Sequence, residues 1–210
     1  SPNEREMLTR HLLNIGFQKN DIVDSGLTSS GKDGGVRDLF SHRIMFPILD
    51  GLGRVVGFGG RTLDNSNPKY LNTPKTTVFD KSKILYGFSL GKEQITKSDA
   101  VIVVEGYMDV IAAHQMGYKN VVAQMGTALT EHQVYLLKSS ASNFILALDP
   151  DEAGKEATLR SLESSWEALQ INILRTGRGS RTVFSERKLA TALKIATLPP
   201  GKDPDTLIRE

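Results

Sequence analysis

The hydrophobic positions of the first 98 residues follow two different periods. Apolar side chains recur at helical spacing over residues 7–15, which predicts an amphipathic helix. Residues 42–49 and 54–58 are short β-type runs on either side of a Gly-rich turn, and this arrangement predicts a hairpin. The stretch 65–83 is rich in Asn, Pro, Thr and Lys and has little periodicity, which is typical of an ordered loop. Together these patterns predict a small α+β subdomain.

From residue 99 onward, apolar runs of strand length alternate with helical stretches. The predicted strands are 100–104, 120–123, 144–148, 171–174 and 193–198, and the predicted helices are 107–116, 130–138, 152–169 and a short one at the end. This alternation predicts an α/β fold with a mainly parallel sheet flanked by helices. We therefore expect an N-terminal α+β subdomain over 1–98 and a separate α/β subdomain over 99–210. The polar, basic and unpatterned residues 176–190 are expected to be an insertion.

Composition narrows the class of protein. The chain has no Cys, which excludes disulfides and thiolate zinc sites and fits a reducing cytoplasm. No apolar run approaches the roughly 20 residues that a membrane-spanning helix needs, so we expect no membrane association. The chain begins with Ser1 and has no signal pattern, so we expect it to be a cut fragment.

Charge is distributed unevenly along the chain, although the net charge is only +2. Residues 1–98 carry a net +4, residues 99–152 a net −5 and residues 153–210 a net +3. An acidic segment between basic flanks is consistent either with chance variation in solvated charge or with a functional site.

Six acidic residues follow the ends of predicted strands. Ligands of open α/β sheets bind beyond the carboxyl ends of the strands, so we expect these carboxylates to converge on one site. Clustered carboxylates repel one another unless a cation is bound, and their hard oxygens suit magnesium. Two metal ions would suit in-line nucleotidyl transfer. The six residues are Glu105, Asp109, Asp149, Asp151, Asp203 and Asp205.

A structural role competes with metal binding for four of these acids. Asp149-Pro150-Asp151 and Asp203-Pro204-Asp205 both have the pattern of a helix start, with Asp as the cap and Pro in the first turn. Capping does not exclude coordination by the same segment.

Two of the acidic motifs resemble a known domain. The stretch Val104-Glu105-Gly106-Tyr107-Met108-Asp109-Val110 and the pair Asp149-x-Asp151 resemble the Toprim domain of primases, topoisomerases and some nucleases. Four segments before the Glu105 motif and two after it resemble the core of a bacterial DnaG-type primase, and the resemblance covers about residues 36–210. The segments are Arg43-Ile44-Met45-Phe46-Pro47-Ile48, Gly57-Phe58-Gly59-Gly60-Arg61, Pro68-Lys69-Tyr70-Leu71-Asn72, Leu85-Tyr86-Gly87, Gly126-Thr127-Ala128-Leu129-Thr130 and Lys202-Asp203-Pro204-Asp205-Thr206-Leu207.

The resemblance implies a DNA-directed RNA polymerase that makes short RNA primers for DNA replication from ribonucleoside triphosphates. It implies that the six acids bind Mg²⁺, with Mn²⁺ as a substitute, and that Glu105, Asp149 and Asp151 are catalytic. Arg61 and Lys69 match basic residues that face nucleic acid or the incoming nucleotide. Each cation taken alone would more often be an ordinary surface residue. The full set expected to bind nucleic acid or nucleotide is Arg61, Lys69, Tyr70, Asn72, Lys81 and Lys83.

The same resemblance implies the partners. These are a single-stranded DNA template, a primer–template hybrid, and a replicative helicase bound through a C-terminal module that is absent here. The family's zinc module would also lie elsewhere, so we expect no zinc in this fragment, a monomeric core, and a location at the replication fork. Pro150 departs from the family, which commonly has a small flexible residue there.

Two alternative functions remain open from the residues alone. A topoisomerase subunit shares the acidic layout, but it requires a Tyr nucleophile, for which Tyr107 is a poor candidate because it lies within the acidic motif. A non-catalytic nucleic-acid-binding domain would retain the fold and lose the chemistry.

Overall fold

A computed structural model describes residues 1–30, 35–64, 66–126, 129–147, 192–196 and 204–209. The chain divides into two compact units, residues 1–80 and residues 81–210. The subdomain boundary expected at 98/99 stays a prediction. In the part of the chain that is described, no helix has the length and apolar character needed to cross a bilayer.

In its described residues, the first unit contains two short helices and two antiparallel sheets. Its helices are α1 (Met7–Asn14) and α2 (Lys19–Asp24), and its strands are β1 (Thr28–Ser30), β2 (Val36–Asp38), β3 (Arg43–Leu49), β4 (Val55–Thr62) and β5 (Tyr70–Asn72). Strand β1 pairs with β2, and a separate sheet has the order β3-β4-β5. The expected hairpin over residues 42–58 is therefore present.

Strand β4 continues four residues beyond the predicted end at residue 58. The sequence pattern ended the strand early because glycines are unfavourable in strands, whereas tertiary packing requires them here. A Cβ on Gly57 would lie 3.0 Å from the Phe79 ring, and one on Gly60 would lie 2.8 Å from the Phe40 ring. Rings therefore fill the space beside the strand that side chains would otherwise occupy.

The second unit is built on a parallel sheet of order β7-β6-β8-β9. A 3₁₀ turn over Lys81–Lys83 opens the unit. Its strands are β6 (Ala100–Val104), β7 (Val121–Ala123), β8 (Asn143–Leu146) and β9 (Ala192–Ile195), and its described helices are α3 (Phe88–Ser98), α4 (Tyr107–Gln115), α5 (Glu131–Lys138) and α6 (Pro204–Arg209). The predicted parallel sheet is confirmed. The helix and strand expected over 152–174 and the insertion over 176–190 lie outside the described residues.

Alternate side chains of β6 pack on opposite faces of this sheet. Val101 and Val103 belong to a buried cluster that includes Ile95 of α3 and Leu137 of α5. The other face carries a second cluster, in which Val104 packs with α4 and α6. The sheet is thus covered on both faces, as its uninterrupted apolar strands indicate.

The segment before α3 extends the sheet beyond β7. Tyr86 and Ala123 exchange backbone hydrogen bonds of 2.9 and 3.0 Å as an antiparallel bridge. The turn before this bridge is held by Gln133 of α5, whose side chain donates to the carbonyl oxygens of Lys81 and Ile84.

Candidate active site and nucleic-acid surface

The carboxyl ends of β6, β7 and β8 lie side by side at one edge of the parallel sheet. Val104 is in register with Ala123 of β7, and Val103 is in register with Leu146 of β8. The amide of Ala147 still donates to the carbonyl oxygen of Val103, at 2.9 Å. The residues that follow these three strands therefore begin at the same edge of the sheet, where the sequence predicts a ligand site.

Glu105 and Asp109 share the tight turn that connects β6 to α4. Gly106 is the residue before the helix, with extended backbone, and Asp109 is the third helical residue. The Asp109 carboxylate accepts a hydrogen bond of 3.1 Å from the amide of Gly106, the position directly after Glu105. Both acidic side chains are partly exposed. Asp109 therefore stabilises the start of α4 while part of its side chain remains accessible to solvent.

The remaining four predicted metal ligands are not all described. Asp149, Asp151 and Asp203 lie outside the described residues, and Asp205 belongs to α6, which packs against α4. Over the described ranges, no three His, Asp or Glu side chains come together as a metal site. The convergence of all six acids stays a prediction.

Tyr107, between the two acidic positions, is held in the interior. It is 3% exposed, and its ring makes an edge-to-face contact with the ring of Tyr86 at a centroid distance of 4.7 Å. Burial raises the pKa of the Tyr107 phenol well above its ordinary value, and the neighbouring Tyr86 adds to the shift. A neutral, buried phenol is a poor nucleophile for DNA, so Tyr107 does not support the topoisomerase alternative.

Strand β7 ends in a backbone conformation that the sequence did not predict. Met125 and Gly126 both have positive φ, 60° and 79°, and Met125 is buried. A left-handed conformation costs a non-glycine residue about 1 kcal/mol, so the surrounding packing must hold Met125 in place. This turn begins the Gly126–Thr130 motif at the same sheet edge as Glu105.

Three of the predicted nucleic-acid-binding residues form a cluster in the first unit. Arg61 of β4 is directly opposite Tyr70 of β5. The Arg61 guanidinium carbon lies 5.8 Å from the centre of the Tyr70 ring, and the Lys69 ammonium lies 6.0 Å from it. Tyr70 is 39% exposed, Lys69 is exposed and Arg61 is partly exposed, so the ring and both cations are accessible. Asn72 lies two residues further along β5 and points to the same side as Tyr70.

The last two predicted nucleic-acid residues belong to the other unit. Lys81 and Lys83 are exposed on the 3₁₀ turn that opens the second unit. Their membership of one surface with the Arg61 cluster stays a prediction.

A polar cavity of about 590 Å³ adjoins the cluster on the connection between β4 and β5. Thr62, Asp64 and Ser66 line it beside Arg61 and Lys69, and their side chains bond to one another. Sequence reasoning missed this network. The alternation Thr62-x-Asp64-x-Ser66 is the signal that could have indicated it, because such residues bond to nearby backbone in turns.

A buried cation lies under this connection. Arg43 of β3 is 7% exposed, and its guanidinium donates to the carbonyl oxygens of Gly60 and Lys69 at 3.3 and 3.4 Å. The sequence indicated Arg43 only as part of a motif. The structure adds that it joins β4 to the backbone of Lys69.

Comparisons with known proteins agree with this arrangement. Residues 1–92 match the family described as DNA primase catalytic core, N-terminal domain, and residues 99–176 match the Toprim domain. A DNA primase of Clostridium acetobutylicum is 41% identical over 196 residues, which are 93% of this chain and 29% of that protein.

Solved structures match the whole chain as well. A DNA primase domain from Pseudomonas aeruginosa is 37% identical with a TM-score of 0.79, and the match covers 100% of this chain and 60% of that one. A DnaG primase catalytic domain bound to single-stranded DNA is 35% identical with a TM-score of 0.75, covering 98% of this chain and 60% of that one.

The chain spans less than a third of the curated relative, so it corresponds to one part of a longer protein in that family. The two family matches follow one another along the chain, and the solved structures match both parts in one alignment. The chain therefore belongs to the DnaG-type DNA primase family and corresponds to part of its catalytic core.

Proposed function

We propose that this chain is the catalytic core of a DNA-directed RNA polymerase that makes short RNA primers on single-stranded DNA for replication. The observation that carries the proposal is the Glu105–Asp109 turn at the carboxyl edge of a parallel sheet, in a chain that matches primase cores over both of its parts.

The donor set fits a divalent cation. Glu105 and Asp109 offer hard carboxylate oxygens on a single turn, which suits Mg²⁺ or Mn²⁺, and the Toprim match favours use of a divalent metal. We assign the six acids named above to this cation and expect no zinc in the chain. Bound metal would neutralise charge on the triphosphate and lower the pKa of the attacking hydroxyl.

The reaction joins the 3′-oxygen of the growing primer to the α-phosphorus of the incoming ribonucleotide. A new P–O bond forms at the α-phosphorus, and the bond from that phosphorus to the oxygen of pyrophosphate breaks. Glu105 would accept the hydroxyl proton, and Asp149 and Asp151 would be further ligands for the metal. This transfer requires no Cys or Ser nucleophile.

Nucleic acid would bind across the Arg61 cluster of the first unit. Arg61 can offer a planar fork to a phosphate, Lys69 supplies a point charge, and Tyr70 provides an aromatic face on which a base can stack. Asn72 would hydrogen-bond a sugar or base edge, and Lys81 and Lys83 would add positive charge. The related domain solved with single-stranded DNA supports this template class.

The other expected features follow from the same family. The single-stranded template, the ribonucleoside triphosphates and the primer–template hybrid are the proposed ligands. A replicative helicase is the proposed partner, bound by a segment outside this chain, and the core is proposed to be a monomer at replication forks in the cytoplasm.

The test is template-dependent incorporation of ribonucleotides by the full-length protein in Mg²⁺ or Mn²⁺. Glu105→Ala and Asp149→Ala should each reduce incorporation by roughly 100-fold or more, because removing a metal ligand removes charge stabilisation at the transition state. Glu93→Ala is the matched control, since Glu93 is an exposed acid on α3 of the same unit. Parent-level incorporation by both site variants would contradict the proposal.

Calorimetry of manganese binding distinguishes a catalytic core from the remaining alternative, a non-catalytic DNA-binding domain. A catalytic core should bind the ion, and Glu105→Ala should weaken that binding. If the parent bound single-stranded DNA and no divalent ion, the chain would instead be a non-catalytic DNA-binding domain.

A further inference from the structure

The connection between β4 and β5 is closed by a compact set of polar contacts. The Thr62 hydroxyl donates to Oδ1 of Asp64 at 2.6 Å, and the amide of Ser66 donates to the same oxygen at 2.8 Å. The Ser66 hydroxyl lies 2.8 Å from the Thr62 hydroxyl. We call these three residues the Asp64 network; its centre is a single carboxylate oxygen that accepts from both sides of the turn.

This network is directly connected to the cationic cluster. Thr62 follows Arg61 in the chain, and its amide donates to the carbonyl oxygen of Lys69 at 3.0 Å. Thr62 therefore bonds Lys69 through its backbone and Asp64 through its side chain. All of these residues line the same cavity of about 590 Å³.

The charge of Asp64 opposes the use proposed for this surface. The Ser66 and Thr62 side chains hydrogen-bond the carboxylate, and this holds the pKa of Asp64 far below its usual value, with the charge of His42 adding to the shift. The carboxylate is thus ionised at neutral pH, and an anion beside Arg61 and Lys69 repels a phosphodiester. Electrostatics alone would favour a neutral residue here.

We propose that Asp64 is a positioning residue, whose carboxylate holds the β4–β5 connection so that Arg61, Lys69 and Tyr70 present one binding surface to single-stranded nucleic acid. The inference rests on the proposed function and adds a role for a residue that does not itself contact the ligand.

The two explanations of Asp64 predict opposite changes in DNA affinity when the side chain is removed. As a surface charge only, Asp64→Ala and Asp64→Asn would both tighten DNA binding. As a positioning residue, Asp64→Ala weakens binding by roughly 3- to 10-fold, because the acceptor of two hydrogen bonds is lost. Asp64→Asn keeps an acceptor oxygen and loses the charge, so it should bind as tightly as the parent or more tightly.

Thr62→Val provides a test in which the charge does not change. Valine has nearly the shape of threonine and removes only the hydroxyl that donates to Asp64. Weakening of the same size as in Asp64→Ala supports positioning. Parent-level binding by both variants would overturn the inference, and so would tighter binding by Asp64→Ala.

The measurement is fluorescence anisotropy of a labelled oligodeoxythymidylate with the full-length protein, and urea unfolding checks that each variant is folded. Asp50→Ala is the matched control, because Asp50 is a partly exposed acid of the same unit whose carboxylate also accepts turn amides, from Leu52 and Arg54. We expect its binding to equal that of the parent.

A double variant separates failure of the inference from failure of the proposed function. If Arg61→Ala with Lys69→Ala leaves DNA binding unchanged, the proposed nucleic-acid surface is wrong. If that double variant weakens binding while Thr62→Val and Asp64→Ala do not, the surface stands and the positioning role of Asp64 is wrong.

Discussion

Gly91 illustrates how a single residue can be required by a contact that its own sequence neighbourhood does not reveal. It lies on the buried side of α3, and a Cβ at this position would be 2.1 Å from the carbonyl oxygen of Lys119. That oxygen is backbone and cannot rotate away. A helical pattern with a glycine would ordinarily be improved by alanine, by about 1 kcal/mol.

We expect Gly91→Ala to destabilise the protein by about 2 kcal/mol, because the clash with backbone costs more than the gain in helix propensity. Urea unfolding measures the change. Gly51→Ala is the control, since a Cβ on Gly51 has no neighbouring atom within 4 Å. A stabilised Gly91→Ala variant would show that α3 can move away from Lys119.

Other residues differ in how well the sequence alone predicted their roles. Glu105 and Asp109 were predicted from their place after an apolar run, because the ends of strands are set by local pattern. Arg43 and Asp64 were missed as individual residues. Arg43 is a buried cation satisfied by the carbonyl oxygens of Gly60 and Lys69, and those partners are 17 and 26 residues away in the chain.

The start of helix α5 is fixed by two reciprocal hydrogen bonds between Thr130 and Gln133. Thr130 caps it by accepting from the amide of Gln133, and the Gln133 side chain accepts from the amide of Thr130 in return. Gln133 is fully buried, and its amide group also bonds the carbonyl oxygens of Lys81 and Ile84. One side chain thus caps α5 and holds the turn that leads into Tyr86.

Gln133→Leu should lower the free energy of unfolding by about 3 kcal/mol. Leucine has a similar volume, but it leaves two carbonyl groups and one amide without their buried partner, and each such loss costs roughly 1–3 kcal/mol. Urea unfolding followed by circular dichroism gives the value.

His132→Leu is the control on the neighbouring exposed position of α5 and should change stability by less than about 0.5 kcal/mol. Equal losses in the two variants would mean that the Gln133 contacts contribute little.

At the scale of the whole molecule, the distribution of charge along the sequence should affect the affinity for nucleic acid. The first unit, residues 1–80, carries a net charge of +1, and residues 81–98 bring the segment 1–98 to +4, although the whole chain carries only +2. Binding of single-stranded DNA through Lys and Arg releases counterions, so the affinity should fall with salt concentration.

We expect the double variant Arg61→Ala with Lys69→Ala to make the slope of log affinity against log salt shallower by roughly 1.4, because each lost phosphate contact on a single strand contributes roughly 0.7. Anisotropy titrations across a range of salt concentrations measure this slope. The control pairs Arg10→Ala with Lys19→Ala, an Arg and a Lys exposed on α1 and α2 of the same unit. A parent-like slope in the site variant, or equal changes in both, would exclude a specific role for the cluster.

The sequence by itself determined the α/β class, the parallel order implied by alternating strands and helices, and the places where acidic residues follow strands. These features are local, since a period of 2 or 3.6 residues is set within one segment. Tertiary structure decided which positions require glycine, that the Tyr107 ring is buried against Tyr86, and how Thr62 and Asp64 connect Arg61 to Lys69. The contacts of the glycines and of Tyr107 join segments far apart in the chain, so the pattern within one segment carries no information about them. The contact between Thr62 and Lys69 spans a single connection, and it forms because β5 folds back to pair with β4.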